Sequence, residues 1–123
     1  MKPVRMADMA TEQLVERFAA IGIQQDDALL GSESSRFNTL FREMFAIEKE
    51  LKARSSDQRH LLLRLFEHEN AQVRLNAAKA TLAVAPAAAR QMLETLAGSR
   101  RFPQAGDAGM SLWNLDRGVF KPT

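Results

Sequence analysis

The chain has 123 residues, of which 46% are hydrophobic and 26% are charged, as expected for one globular domain and not for a disordered segment. It contains no cysteine, which excludes disulfides, thiolate nucleophiles and cysteine-bound metals. The formal net charge is +2, with 6 basic and 9 acidic side chains in residues 1–50 against 11 and 6 in residues 51–123. This asymmetry suits either an anionic partner or the pairing of opposite charges within a monomer or dimer.

The first half of the chain predicts two amphipathic helices. Apolar residues recur at steps of three and four over 11–30, with Thr11 as the N-cap. A second stripe begins at Phe37 and predicts a helix over 36–54. We therefore expect an N-terminal helix pair over 11–54, preceded by a flexible tail over 1–10.

The second half predicts four shorter helices. Ser55 and Gln58 have the spacing of a capping box, which would open the third helix. Pro86 ends the fourth helix and begins the fifth, and Gly98 ends the fifth. The predicted spans are 56–68, 71–85, 86–97 and 103–117, followed by a C-terminal tail over 118–123.

Residues 57–85 resemble a HEAT repeat. Large side chains such as Leu62 and Phe66 occupy the first helix, and small ones such as Ala77 and Ala78 occupy the second, so that the pair can close tightly. Residues 87–115 resemble a degraded second copy. We therefore expect an all-α fold, a HEAT/armadillo-like α-α superhelix of about six antiparallel helices. It would form a single domain over 1–123, with two HEAT-like repeats over 57–117.

Five stretches carry a further resemblance, which covers nearly the whole chain: 36–41, 57–59, 71–75, 77–82 and 104–112. Through them the chain resembles an uncharacterised bacterial family of small HEAT/armadillo-like helical proteins, classified as a domain of unknown function. The resemblance implies a fold and no particular activity.

The sequence shows no catalytic or metal-binding motif. His60 and His68 lie eight residues apart with Arg64 between them, and the stretch from His68 has Gln72 where a zinc-protease motif needs a second histidine. No glycine-rich phosphate loop is present. We therefore expect a protein that is not an enzyme and that has no cofactor and no metal.

Two single residues allow alternative interpretations. Arg74 is predicted to form an ion pair within the repeat, with Asp57 or Glu67 as its partner, and contact with a ligand is the alternative. Trp113, the only tryptophan, either packs on the fifth helix or anchors an interface, and burial is the favoured interpretation.

The predicted function is binding to an unidentified protein partner, with self-association into a homo-oligomer as a further expectation. The alternative is a nucleic-acid-binding or DNA-glycosylase-like HEAT protein, although the modest net charge makes nucleic acid the less favoured partner. We expect a cytoplasmic location, since no signal peptide and no membrane-spanning segment is evident. The candidate contact residues are Gln72, Asn76, Lys79, Arg100, Arg101 and Trp113.

Overall fold

The computed structural model describes residues 5–123, and within that range every regular element is a helix. This confirms the all-helical fold class. The α-helices are α1 (Thr11–Leu30), α2 (Ser34–Ala53), α3 (Ala71–Thr81), α4 (Pro86–Ala97) and α5 (Gln104–Asp116), and 3-10 helices span Met6–Asp8 and Gln58–Glu67. None of the helices within 5–123 is long and apolar enough to cross a membrane.

Backbone contacts divide the chain into two compact units, one ending at Leu61 and the other running from Leu62 to Thr123. The prediction of a single domain over 1–123 stays a prediction. Residues 1–4 of the predicted N-terminal tail lie outside the described residues. In the rest of that tail, the carbonyl oxygens of Met6 and Met9 accept hydrogen bonds from Arg54 Nη2, at 3.1 and 2.7 Å.

The first unit is built on the antiparallel pair of α1 and α2. Arg17 on α1 donates from Nε and Nη2 to the two carboxylate oxygens of Glu43 on α2, at 2.7 and 2.9 Å. These hydrogen bonds raise the pKa of Arg17 above its ordinary value. The helices bury most of the predicted stripes, Leu14, Phe18 and Ile21 from α1 and Leu40, Met44, Ile47 and Leu51 from α2, whereas Phe41 of the second stripe is 45% exposed.

Thr11 is the first residue of α1 and not its N-cap, so that detail of the prediction was wrong. Ala10 occupies the cap position, and its backbone N–H donates to Gln13 Oε1 at 2.8 Å. The Thr11 hydroxyl instead accepts a hydrogen bond from Arg54 Nη1 at 3.2 Å. The threonine therefore joins the beginning of α1 to the end of α2.

The predicted third α-helix, 56–68, is a 3-10 helix over Gln58–Glu67. Asp57 precedes it with a left-handed φ of 45°, and its carboxylate accepts hydrogen bonds from the Arg59 side chain at 2.9 and 2.7 Å. Gln58 Nε2 donates to the Ser55 carbonyl oxygen at 2.6 Å. In a capping box the glutamine side chain would instead accept a hydrogen bond from the Ser55 backbone N–H, so the predicted capping box is not formed. Arg59 and Leu62, which are three residues apart and so share a face of a 3-10 helix, are both buried.

The second unit has its core among α3, α4 and α5. Asn70 caps α3, since its Oδ1 accepts from the backbone N–H groups of Gln72 and Val73 at 2.9 and 3.2 Å. Pro86 is the first residue of α4, as predicted. Arg90 near the start of α4 bonds Asp116 at the end of α5, which makes this pair antiparallel. The core residues are Leu75, Ala78, Leu82, Ala89, Leu93, Leu96 and Ala108.

Helix α3 ends at Thr81, four residues before the predicted end at Ala85. Ala85 directly precedes Pro86, and the proline ring disfavours a helical conformation of the preceding residue. Ala85 accordingly has a φ of −145°. A turn closes the gap, in which the Thr81 carbonyl oxygen accepts from the N–H groups of Val84 and Ala85, at 3.1 and 2.8 Å.

The predicted ion pair of Arg74 is wrong. Arg74 makes no ion pair with any of the described residues, and its Nε is buried without a hydrogen-bond partner. One of its two expected partners, Asp57, is engaged by Arg59 instead. The repeat pattern placed Arg74 correctly in the first turn of α3. It could not show that Arg59, two residues from Asp57, would form the ion pair with that carboxylate.

Candidate interaction surface

Two of the six predicted contact residues are buried, so the expectation that they face solvent was wrong. Gln72 is 5% exposed and Asn76 is 6% exposed. Gln72 Nε2 donates to Asn76 Oδ1, and its Oε1 accepts from Gln104 Nε2, both at 3.0 Å. These three side chains form an amide chain that joins α3 to the start of α5. Since α3 contacts both α4 and α5, most of its sides are covered.

Lys79 is exposed, as predicted, but its charge is engaged within the protein. Its Nζ donates to Asp107 Oδ1 on α5 at 3.0 Å. The same oxygen accepts a hydrogen bond from the Ser111 hydroxyl at 3.2 Å. Lys79 therefore helps to hold α5 against α3, and little of its charge is left to attract a partner.

Arg100 and Arg101 lie in the turn between α4 and α5, and both are exposed. Neither guanidinium forms an ion pair with a described residue. Arg101 takes part in the turn through its backbone, since its N–H donates to Ser99 Oγ at 3.2 Å and its carbonyl oxygen accepts from the Ala105 N–H at 2.8 Å. Two adjacent cations are thus presented to solvent at the beginning of α5.

Trp113 is 54% exposed, so the favoured interpretation of burial was wrong. The guanidinium of Arg117, one turn further along α5, lies 4.4 Å from the centroid of the tryptophan ring, within the range of a cation–π interaction. Met110, one turn before Trp113, is 57% exposed. The tryptophan therefore stands on the outer face of α5, stacked against a cation.

Phe102 extends this apolar face beyond the start of α5. It is 73% exposed, and its ring lies 3.8 Å from the position that a Cβ atom would take at Gly106. Gly106 and Met110 are four residues apart and share a helix face. We call the exposed apolar residues Phe102, Met110 and Trp113 the α5 stripe. Of these three, only Trp113 was among the contact residues predicted from the sequence. Ala108, Leu112 and Leu115 share the helix face that packs on the core, and their spacing already places Met110 on the opposite face.

A small groove of about 280 Å³ borders the inner side of α5. The segment after Gly118, whose φ is +71°, turns back so that the N–H groups of Val119 and Phe120 donate to the Asn114 carbonyl oxygen. Phe120 thereby becomes one wall of the groove. The lining residues are Lys79, Leu82, Ser111, Asn114 and Phe120, and the only cation among them is already paired with Asp107.

The titratable groups with shifted pKa values belong to ion pairs and not to a cleft. The hydrogen bonds from Arg59 lower the pKa of Asp57, and those from Arg90 lower the pKa of Asp116. His68 Nδ1 accepts from the Asn70 N–H at 3.0 Å, and His60 Nδ1 lies 2.9 Å from the Asp57 carbonyl oxygen. Among residues 5–123, no three histidine, aspartate or glutamate side chains are grouped so that they could hold a metal ion.

Comparison with known proteins gives a family and a structural relative. Residues 12–116 match the family DUF2019, which is described as a domain of unknown function. The chain is 57% identical to the protein RPA1889 from Rhodopseudomonas palustris CGA009. The crystal structure of that protein matches with a TM-score of 0.95, over 98% of this chain and 100% of the other. No curated protein resembles the chain at a significant level.

Proposed function

We propose that this chain, which belongs to the DUF2019 family, is a non-enzymatic protein-interaction module whose contact surface is the α5 stripe. The observation that carries the proposal is the exposure of three large apolar side chains, more than half of each, two on the outer face of α5 and one just before it. With about 200 Å² for each large side chain, the stripe exposes on the order of 350 Å². This is the size of the largest apolar patch on a typical monomer, and such a patch is often functional.

The composition of the surface supports the same proposal. Tryptophan and arginine are the residue types most enriched among those that dominate binding energy. The Arg117 guanidinium lies 4.4 Å from the centroid of the Trp113 ring, and this cation–π contact favours the observed orientation of the ring. An ordered aromatic side chain loses less conformational entropy when a partner binds than a mobile one does.

We further propose that the helices form a HEAT/armadillo-like arrangement. The small side chains of α3, including Ala78, pack near the leucines of α4, as expected for the tightly closed helix pair of such a repeat. The 3-10 helix over Gln58–Glu67 departs from the regular pattern, in which this position is an α-helix. Helical repeat proteins bind partners through exposed helix faces, and the α5 stripe is such a face.

We also propose that the protein is not an enzyme and that it is located in the cytoplasm. The carboxylates of α5 favour a structural role, since Asp107 and Asp116 are hydrogen-bonded to Lys79 and Arg90. A general acid or base needs a group that is free to exchange its proton with a substrate. The lack of cysteine in the sequence suits a reducing compartment.

Nucleic acid remains the second candidate partner, and the exposed arginines are the observation that favours it. Arg100, Arg101 and Arg117 make no ion pair with the described residues. Phosphate contacts by these side chains would make the affinity fall steeply with salt. A gel-shift assay at low salt with single- and double-stranded oligonucleotides tests this candidate, and no shift at micromolar protein would eliminate it.

Affinity capture with three forms of the chain tests the main proposal. The forms are the wild type, the double variant Met110→Ser/Trp113→Ser, and the control Leu30→Ser, which removes an apolar side chain that is 83% exposed on α1. We expect at least one protein of the source organism to bind the wild type and the control but not the double variant. Light scattering on the same samples measures self-association. If the double variant loses no partner and no self-association, the proposal is wrong.

A further inference from the structure

Building on the proposed function, we infer that the α5 stripe binds an acidic amphipathic helix of a partner protein. The inference depends on the charges around the stripe. Arg100 and Arg101 stand before its first residue, Phe102, and Arg117 stands after its last, Trp113. The stripe is therefore an apolar centre with exposed cations at both ends.

The acidic residues of α5 do not neutralise these cations. Asp107 is bonded to Lys79 on α3, at 3.0 Å, and Asp116 is bonded to Arg90 on α4, at 2.8 Å. Both carboxylates thus serve the contacts of α5 with the other helices of its unit. The outer face keeps its positive charge, which a partner with carboxylates at matching positions would complement.

The shape of the surface favours a helix as the partner element. Helix α5 has 13 residues and is roughly 20 Å long, with Phe102 just before its beginning and Arg117 just after its end. Apolar side chains along one straight helix face pack best against a second helix with the same spacing of apolar residues. A partner segment of about 15 residues, with acidic side chains near both ends, would cover the whole stripe.

The same charges disfavour a second copy of this chain and a nucleic acid. A two-fold pairing of α5 with itself would bring Arg100 or Arg101 near Arg117 of the copy, or near its own equivalent, and like charges repel. A nucleic-acid duplex along the stripe would place phosphates above Met110 and Phe102, which offer them no hydrogen bond. An acidic amphipathic helix meets the apolar centre and the cationic ends together.

Selection from a peptide library tests the inference without a known partner. A phage library of random 18-residue peptides is selected on the full chain and, in parallel, on Met110→Ser/Trp113→Ser. We expect peptides enriched only on the wild type, with leucine or phenylalanine at helical spacing and at least two carboxylates near each end. Stripe-dependent peptides without an excess of carboxylates would overturn the inference and leave the proposed function standing. If no peptide depends on the stripe, both are wrong.

The fluorescence of Trp113, the only tryptophan, measures the affinity of an enriched peptide directly. Binding should shift its emission to shorter wavelength, since the exposed ring would become covered. Arg101→Glu should weaken binding at least roughly fivefold, and Arg42→Glu, a matched charge reversal on an exposed residue of α2, should leave it unchanged within about twofold. Circular dichroism verifies that each variant is folded.

Equal binding to the two charge-reversal variants would overturn the inference. So would an equal affinity for the same peptide with glutamine in place of its acidic residues. A 20-nucleotide single strand provides the comparison with nucleic acid. If the strand shifts Trp113 emission at a lower concentration than any enriched peptide does, the surface is a nucleic-acid site and the inference is wrong.

Discussion

Replacing Asp57 by asparagine should destabilise the protein by about 2 kcal/mol at neutral pH. The Asp57 carboxylate accepts two hydrogen bonds from the side chain of Arg59, which is 5% exposed. The substitution keeps the shape of the side chain, and asparagine tolerates the left-handed backbone of residue 57. It removes the charge and turns one acceptor into a donor that faces Arg59. A hydrogen bond to a charged group contributes about 1.5–3 kcal/mol, and the one-third exposure of Asp57 favours the lower part of that range.

Urea denaturation followed by far-UV circular dichroism measures this loss. With a slope of about 1.5–2 kcal/mol per molar urea, the midpoint should fall by about 1 M. Asp116→Asn is the control, because that carboxylate also accepts two hydrogen bonds from one arginine, Arg90, but the pair is exposed to solvent. The control should leave the midpoint unchanged within error, since exposed ion pairs contribute little to stability.

The loss of stability caused by Asp57→Asn should become smaller as the pH falls. Because the hydrogen bonds from Arg59 lower the pKa of Asp57 in the folded state, the carboxylate stabilises the fold above its unfolded pKa of about 3.9. That contribution is lost as the pH falls through the lower folded-state pKa. The difference between wild type and variant should therefore be largest at pH 7 and disappear in strong acid. Equal urea midpoints of wild type and Asp57→Asn at pH 7 would refute the reasoning. So would a difference between the two midpoints that persists unchanged in strong acid.

Three further substitutions in the second unit have expected outcomes in the same denaturation assay. Gly109→Ala should stabilise the protein by about 0.5–1 kcal/mol, since a Cβ there meets no atom within 4 Å and alanine favours the helix. Gln104→Leu should cost about 1–3 kcal/mol, because it leaves Gln72 Oε1 buried without its donor. Asp107→Asn should cost at most about 1 kcal/mol and less at high salt, because its ion pair with Lys79 is half-exposed. A stabilised Gln104→Leu would show that the amide chain is not needed.

Helix bounds were predictable where a single apolar stripe is regular, as in α1, or where a proline and a glycine mark the ends, as in α4. The span 11–30 is the clearest case, because α1 buries one face and its bounds match the prediction. The 3-10 helix over Gln58–Glu67 was not predictable in this way, since three consecutive leucines fit periods of 3.0 and 3.6 equally well. It is preceded by Ser56 and Asp57, both of which have positive φ.

The contact surface was less predictable than the fold, because it depends on which helices cover each other. Gln72 and Asn76 are polar residues on a helix, and such residues are usually exposed. They are buried here because Gln104 supplies a complementary amide from α5, 32 residues further along the chain than Gln72. Trp113 was expected to be buried against the fifth predicted helix, but Ala108, Leu112 and Leu115 pack on the core, and this turns the tryptophan outward.

The uneven charge of the sequence allowed two interpretations, an anionic partner or pairing within the protein, and α5 shows how both can apply. Its two aspartates pair inward with Lys79 and Arg90, which orients the helix on its neighbours. Once those acids are engaged, the arginines before and after the helix have no counter-charge among the described residues on the outer face. The contacts that fix α5 in place are thus also the reason why its exposed side is apolar in the centre and cationic at the ends.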